Sequence, residues 1–253
     1  MLTSNFELLV ARIADTTTPL TPATAPFRKI VTGHFLTVTN LDPTRRINLQ
    51  ALLTITSSTG NSTIVPGTNV RVVFDNGSIE NNNPKSLISI PSIGGSSTFR
   101  TGVFSLGPKQ TGLLAILPII SASVLTSLDL AIRGYIELRQ SRSNGVFLNL
   151  GAIPAADVLF TPETRGTFLD EAFPTNVTTD ELDFDQATYA LPTANGKSRD
   201  TVAGLPAIDF DFVRIPTREV FLKKNPALSE DEAGIIYENI NDVLSLQKAV
   251  PAK

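Results

Sequence analysis

The 253-residue chain contains no cysteine and no tryptophan, and its single histidine is His34. Cysteine and histidine supply most nucleophiles, proton shuttles and transition-metal ligands at neutral pH, so their near absence removes thiol chemistry and zinc centres built from Cys and His. Charge is also scarce: Asp, Glu, Lys and Arg make up 18% of the residues, against roughly 25% in ordinary soluble proteins. The net charge of −3, with no Lys/Arg-rich run, gives no electrostatic footprint for nucleic acid. Long apolar runs are missing as well. The nearest candidate, Gly112 to Ile120, is interrupted at Pro118 and is too short for a helical membrane span. Met1 to Val10 has no basic start, and Glu7 interrupts its apolar run, so no secretory signal is expected. A cysteine-free chain suits a reducing cytoplasm, or a secreted or virion protein that uses no disulfides.

What the chain does have is alternation. In 47–56, Ile47, Leu49, Ala51, Leu53 and Ile55 fall on one side of an extended chain and Asn48, Gln50, Thr54 and Thr56 on the other. In 128–139, Leu128, Leu130, Ile132, Ile136 and Leu138 oppose Asp129, Arg133, Glu137 and Arg139. A helix would scatter those charges around its circumference, so both segments read as strands with one buried face. Further strands are expected at 6–13, 33–39, 70–74, 98–106, 113–119 and 146–150. Between them lie turn formers: Asp42-Pro43, Thr59-Gly60-Asn61, Asp75-Asn76-Gly77, Gly94-Gly95, Gly107-Pro108 and Asn144-Gly145. Without helical crossovers, this pattern favours an antiparallel β-sandwich over a parallel α/β sheet. Residues 105–111, followed by an apolar strand, resemble the edge turns of immunoglobulin-like sandwiches, but these few residues define no family. The expected fold is mainly β, an immunoglobulin-like or jelly-roll-like sandwich over 1–160.

From about Thr161 the pattern changes to an extended, proline-punctuated arm over 161–228, with Pro162, Pro174, Pro192, Pro206, Pro216 and Pro226. It is rich in rings, unlike a disordered linker, and an extended segment cannot bury those rings against itself. They are expected to dock on the sandwich or on another subunit. The end, 229–248, reads as an amphipathic α-helix. Ser229 and Glu232 form a capping box, and Ile236, Ile240, Val243 and Leu244 make one apolar stripe. The expected assembly contacts are Phe168, Phe173, Phe184, Tyr189, Phe210, Phe212, Phe221, Ile236 and Ile240.

Constellations for chemistry are few. Glu181, Asp183 and Asp185 would project to one side of an extended segment and are the calcium candidates, but they lack the glycine and terminal glutamate of an EF-hand loop. A solvated acidic face is the simpler reading. His34 is expected to be a structural histidine, bonded to a neighbouring backbone group. Glu163, Asp170 and Glu171, with Arg165 nearby, supply the carboxylates a hydrolase would need. Phe27, Tyr135 and Tyr189 could form a sugar-stacking platform if exposed together. Phosphate-cradling, dinucleotide, zinc-protease and nucleophile-elbow motifs are all absent from the sequence. The expectation is a non-enzymatic structural subunit without cofactor or metal. It would self-associate with copies of itself or other structural subunits in a virion, phage tail, surface layer or filament, at an extracellular or virion surface. The alternatives are a carbohydrate- or ligand-binding module and a carboxylate-dependent hydrolase.

Overall fold

Alternating apolar residues organise the chain into a single antiparallel system of strands. The computed structural model describes residues 1–13, 28–59, 69–77, 83–90, 97–119, 129–142, 151–170, 186–206, 221–223 and 225–226. Within these, the strands are β1 (Leu2–Ile13), β2 (Arg28–Asn40), β3 (Ile47–Thr59), β4 (Val70–Asp75), β5 (Asn83–Lys85), β6 (Leu87–Ile90) and β7 (Ser97–Thr101). They continue with β8 (Phe104–Leu106), β9 (Thr111–Pro118), β10 (Asp129–Gln140), β11 (Ala156–Asp170), β12 (Gln186–Ala190) and β13 (Arg199–Val202). The protein is mainly β. The sheet belongs to a unit made of Met1–Ser141 and Ala156–Ala203.

Its strands follow the order β5-β4-β9-β2-β1-β10-β3-β7-β6. β5 and β6 stand at opposite ends of that path, yet Ser86 alone separates them in sequence. The two ends therefore meet on one extended segment, and the sheet is nearly closed into a barrel. The Ser86 carbonyl accepts the Gly102 N–H at 2.7 Å, tying this closing segment to the turn after β7. Inside lie the inward rows: Phe6, Leu8 and Val10 from β1, Leu36 and Val38 from β2, Leu49 and Leu53 from β3, and Ile132, Ile136 and Leu138 from β10. Phe104, Leu114 and Phe160 complete the same cluster.

The strand that organises the sheet is β2. Its first half pairs with β1, from Ile13↔Arg28 to Leu9↔Thr32. Its second half pairs with β9, from His34↔Ile116 to Thr39↔Thr111. The neighbour changes at Gly33, where a Cβ would come within 2.7 Å of Leu117 Cδ2 and 3.3 Å of the Ile116 carbonyl oxygen. The other edge of β2 is covered end to end by β11, from Val158↔Asn40 to Asp170↔Arg28.

Several strands differ from the sequence expectation. The expected strand 98–106 is two, β7 and β8, because the Gly102 N–H turns away to Ser86. The Thr101 hydroxyl fills the resulting gap by accepting the Ala51 N–H of β3 at 3.0 Å. The boundary drawn at 160 falls inside β11, and the first part of the arm continues that strand through Asp170. Pro162 obscured this, since proline is uncommon inside sheets. Here the Pro162 carbonyl accepts the Leu191 N–H at 2.9 Å, so the backbone polar positions of residue 162 face the β12 side. The missing N–H therefore leaves the β2–β11 ladder intact. Two further pieces of the arm, β12 and β13, pair with β11 at its two ends. The expected strand 146–150 and the helix 229–248 lie outside the described residues.

A second unit comprises Arg142–Ala155 and Gly204–Lys253. In it the Arg142 guanidinium donates to the carbonyls of Gly151 and Pro206, and Ile153 and Leu205 exchange backbone bonds of 2.8 Å. Residues 221–223 are helical, with Phe221 fully buried. Among the described residues no helix is long and apolar enough to cross a membrane.

Candidate functional site

Side chains capable of acid–base chemistry are placed mostly on the outer faces of strands, where alternation puts polar residues. Glu163 and Arg165 stand two apart on β11, and Arg165 donates from Nε and Nη2 to one carboxylate oxygen at 3.0 and 2.9 Å. The same guanidinium lies 4.5 Å from the centre of the Phe35 ring on β2, a cation–π contact. Glu163 is thus engaged by its own neighbour, as a structural carboxylate is. The side chain of Asp170, together with Glu171, Glu181, Asp183 and Asp185, lies outside the described residues. Among the described residues no group of three or more His, Asp or Glu side chains could hold a metal ion.

A shallow, open depression is lined by Asp157 and residues 196–201. Its polar atoms are largely spoken for. Asp157 accepts from Arg199 at 3.0 Å and from the Thr201 hydroxyl at 2.7 Å, which lowers its pKa from the ordinary value, the Thr201 bond contributing most. Asp200 accepts from Asn195 at 2.6 Å and from the Thr201 N–H at 2.7 Å. Each of the two carboxylates thus accepts a hydrogen bond from a protein group at both of its oxygens.

His34 is the first residue beyond the fork of β2. Its side chain is fully buried, with the Phe6 ring edge-on at 6.2 Å between centroids. The hydrogen bond expected for a structural histidine is not made: neither Nδ1 nor Nε2 has a partner. Burial pushes the pKa down to about 4, so the imidazole is neutral at pH 7. With both nitrogens sealed from solvent, it reaches no substrate.

The most unusual exposed feature is β12. It pairs with β11 without a register break, from Thr167↔Gln186 to Glu163↔Ala190, and β11 is its one neighbour among the described residues. Thr188, Tyr189 and Ala190 are exposed, Tyr189 by 64%. Register places Tyr189 opposite Thr164 and Thr164 opposite His34, so Tyr189 lies on the core-side face of the sheet yet faces solvent. The Leu191 N–H points to β11. Antiparallel alternation therefore turns the N–H and C=O groups of Gln186, Thr188 and Ala190 to the edge away from β11.

Of the expected assembly residues, Tyr189 is at this edge and Phe168 is half-buried on β11 opposite Ile30. Phe221 is buried in the second unit, away from solvent. Phe173, Phe184, Phe210, Phe212, Ile236 and Ile240 lie outside the described residues. Of the sugar-stacking trio, Tyr135 and Tyr189 stand apart. Tyr135 sits on β10 opposite Asn5 and Thr54, three strands away from β11, while Phe27 is outside the described residues. Sequence reasoning named Tyr189 but missed its neighbours Thr188 and Ala190. Their signal is the uncharged run Gln186-Ala187-Thr188-Tyr189-Ala190, which directly follows the acidic segment.

Among the described residues these features define an antiparallel β protein with a buried core and an uncharged strand, β12, that pairs with β11 alone. No family model matches the chain, and no curated protein matches it. Among solved structures it is similar to the viral chemokine binding protein encoded by rodent gammaherpesvirus Peru, at 10% identity and a TM-score of 0.21. That similarity covers 74% of this chain and 63% of the other, so this chain spans less than two thirds of that protein's length. A likeness at this level transfers neither fold nor activity.

Proposed function

We propose that the protein is a non-enzymatic structural subunit that self-associates into a larger assembly, such as a virion, phage tail, surface layer or filament. The observation that carries this reading is the edge of β12 away from β11, whose residues Thr188, Tyr189 and Ala190 are exposed and uncharged and which meets no other strand among the described residues. Natural proteins usually blunt such edges with charge, proline or cover, because an open edge is a template for pairing. The engaged state of Glu163, Asp157 and Asp200 supports a surface role for these carboxylates over a catalytic one. The same proposal takes the sheet, forked at Gly33, as a flattened sandwich of immunoglobulin-like or jelly-roll-like type. Its two layers would diverge through β1 and β9, with the extended arm and a C-terminal helix at 229–248 following in sequence. Light scattering over a concentration series tests the function. Mass should rise with concentration, and a chain that stays monomeric throughout rules the proposal out.

A further inference from the structure

We infer that β12 is where one copy of the chain meets a second, the two β12 strands pairing antiparallel about Thr188 across a two-fold axis. This rests on the proposal of self-association and names its interface.

Three observations select this edge and this occupant. The first is contrast with other outlying strands. β13 carries Arg199 and Asp200, and Lys197 precedes it; charges of this kind discourage edge pairing. β6 is uncharged, but it lies at the closure of the sheet, one residue from β5, with Lys85 before it and Pro91 after it. β12 stands off the closed path and carries no charge over its five residues.

The second is backbone polarity. The backbone groups of residues 186, 188 and 190 face away from β11. An antiparallel copy centred on Thr188 places 188 opposite 188, and 186 opposite 190. Every outward residue of the strand then meets an outward residue of the other copy, with reciprocal N–H···O=C bonds. A two-fold axis requires this self-complementarity, because the same patch must serve both partners.

The third is charge placement, which fixes direction. The acidic run Asp180-Glu181-Leu182-Asp183-Phe184-Asp185 lies immediately before β12, whereas Leu191-Pro192-Thr193 follows it. Parallel pairing would set acid beside acid. Antiparallel pairing sends the two acidic runs to opposite ends, and like charges placed directly opposite are destabilising. A strand of five residues makes a small interface, so the association is reversible and concentration-dependent.

The test uses the full chain in three variants. Thr188→Pro removes one outward N–H without touching a bond to β11. Thr188→Asp places a carboxylate beside Arg165, its register partner within the chain, but opposite another carboxylate across the two-fold axis. Thr188→Cys introduces the sole thiol of a chain that has no cysteine, at a pair whose Cα separation in such ladders suits a disulfide. Sedimentation equilibrium is expected to show at least a tenfold weaker association for the Pro and Asp variants with unchanged melting curves. Raising the salt should restore association of the Asp variant alone, since salt screens repulsion. Mild oxidation should convert the Cys variant to a covalent dimer. If the Pro variant unfolds, the Asp and Cys variants carry the test. Association of the wild type that none of the three alters overturns this interface and leaves the proposal of self-association standing. A wild type that stays monomeric overturns both.

Discussion

His34 and Asn40 share the inward row of β2, and both are fully buried, but they are accommodated differently. Asn40 Nδ2 donates to the carbonyls of Arg45 at 2.7 Å and Gly107 at 2.9 Å, and its Oδ1 accepts the Asp42 N–H at 3.0 Å. It ties the turn after β2 to the turn before β9, so its burial is compensated. His34 has no such partners. The charged residues with described side chains on the strands packed against it, Glu7 on β1 and Asp157, Glu163 and Arg165 on β11, lie off the inward row that carries His34 and Phe6. None of these offsets an imidazolium. The folded chain therefore takes up its proton only near pH 4, while an unfolded chain takes one up near 6.5. Above about pH 6.5 the ring is neutral in both states and adds no pH dependence. As pH falls from there towards 4, the unfolded state gains a proton that the folded state refuses, and stability declines by about 3 kcal/mol before levelling off. Asp42 acts in a lower window. The backbone N–H groups of Thr44 and Arg45 hold its pKa down to about 2, so its contribution disappears below the range in which His34 acts. Urea midpoints taken from pH 7 to pH 4 should fall for the native chain and stay nearly flat for His34→Leu. That variant should also be more stable at pH 7 by about 1 kcal/mol, because two orphaned nitrogens are gone. Parallel decline of both proteins would place the titration elsewhere.

At the scale of elements, β10 shows how an irregularity can be written into one residue. Its register with β3 shifts between Arg133↔Ser57 and Gly134↔Ile55, so Thr56 is the extra residue of a bulge. The strand backbones approach so closely there that a Cβ at Gly134 would lie 2.0 Å from the Thr54 carbonyl oxygen and 2.9 Å from the Phe6 ring. Backbone cannot yield as a side-chain tip can. Gly134→Ala should cost about 2 kcal/mol or more, by analogy with overpacked cores, and chemical denaturation is the measurement. A midpoint equal to that of the native chain would mean that the bulge relaxes without resistance. Legibility in the sequence followed the same physics. β3 and β10 could be read directly, because Ile47, Leu49 and Leu53, and Leu130, Ile132, Ile136 and Leu138, are the buried faces that alternation implied. β11 alternates just as regularly through Phe160, Pro162, Thr164 and Gly166, but proline, threonine and glycine on its inward row carry little apolar signal. β12 lacks signal altogether: in a strand of five residues whose described side chains, Thr188, Tyr189 and Ala190, are all exposed, burial imposes no pattern there. The candidate site was legible only as Tyr189. Its openness depends on which strands pair with β11, and that is a long-range property.

For the molecule as a whole, the question is which parts of the chain the sheet can lose. Read from sequence, a chain cut at 160 should be a soluble but stickier sandwich if the arm covers its own core, or a stable monomer if the arm docks on a neighbour. The pairing of β2 argues otherwise. Residues from Thr161↔Thr37 to Asp170↔Arg28 supply most of the β11 edge that covers β2, and β12 and β13 are anchored on β11 in turn. Removing them bares the backbone of the one strand that holds β1 and β9 together at the fork. Unpaired backbone groups at a formerly covered edge each lose a hydrogen-bond partner, and the fresh edge invites aggregation. A chain ending at 160 should therefore lose its cooperative denaturation and bind an apolar dye strongly. A chain ending at 206 retains every strand of the described sheet and should keep a sharp transition. Circular dichroism through a denaturant series separates the two outcomes. A sharp transition in the shorter fragment would show that β1, β2 and β9 hold their arrangement unaided, and that β11 is an addition to a finished sheet and not its central seam.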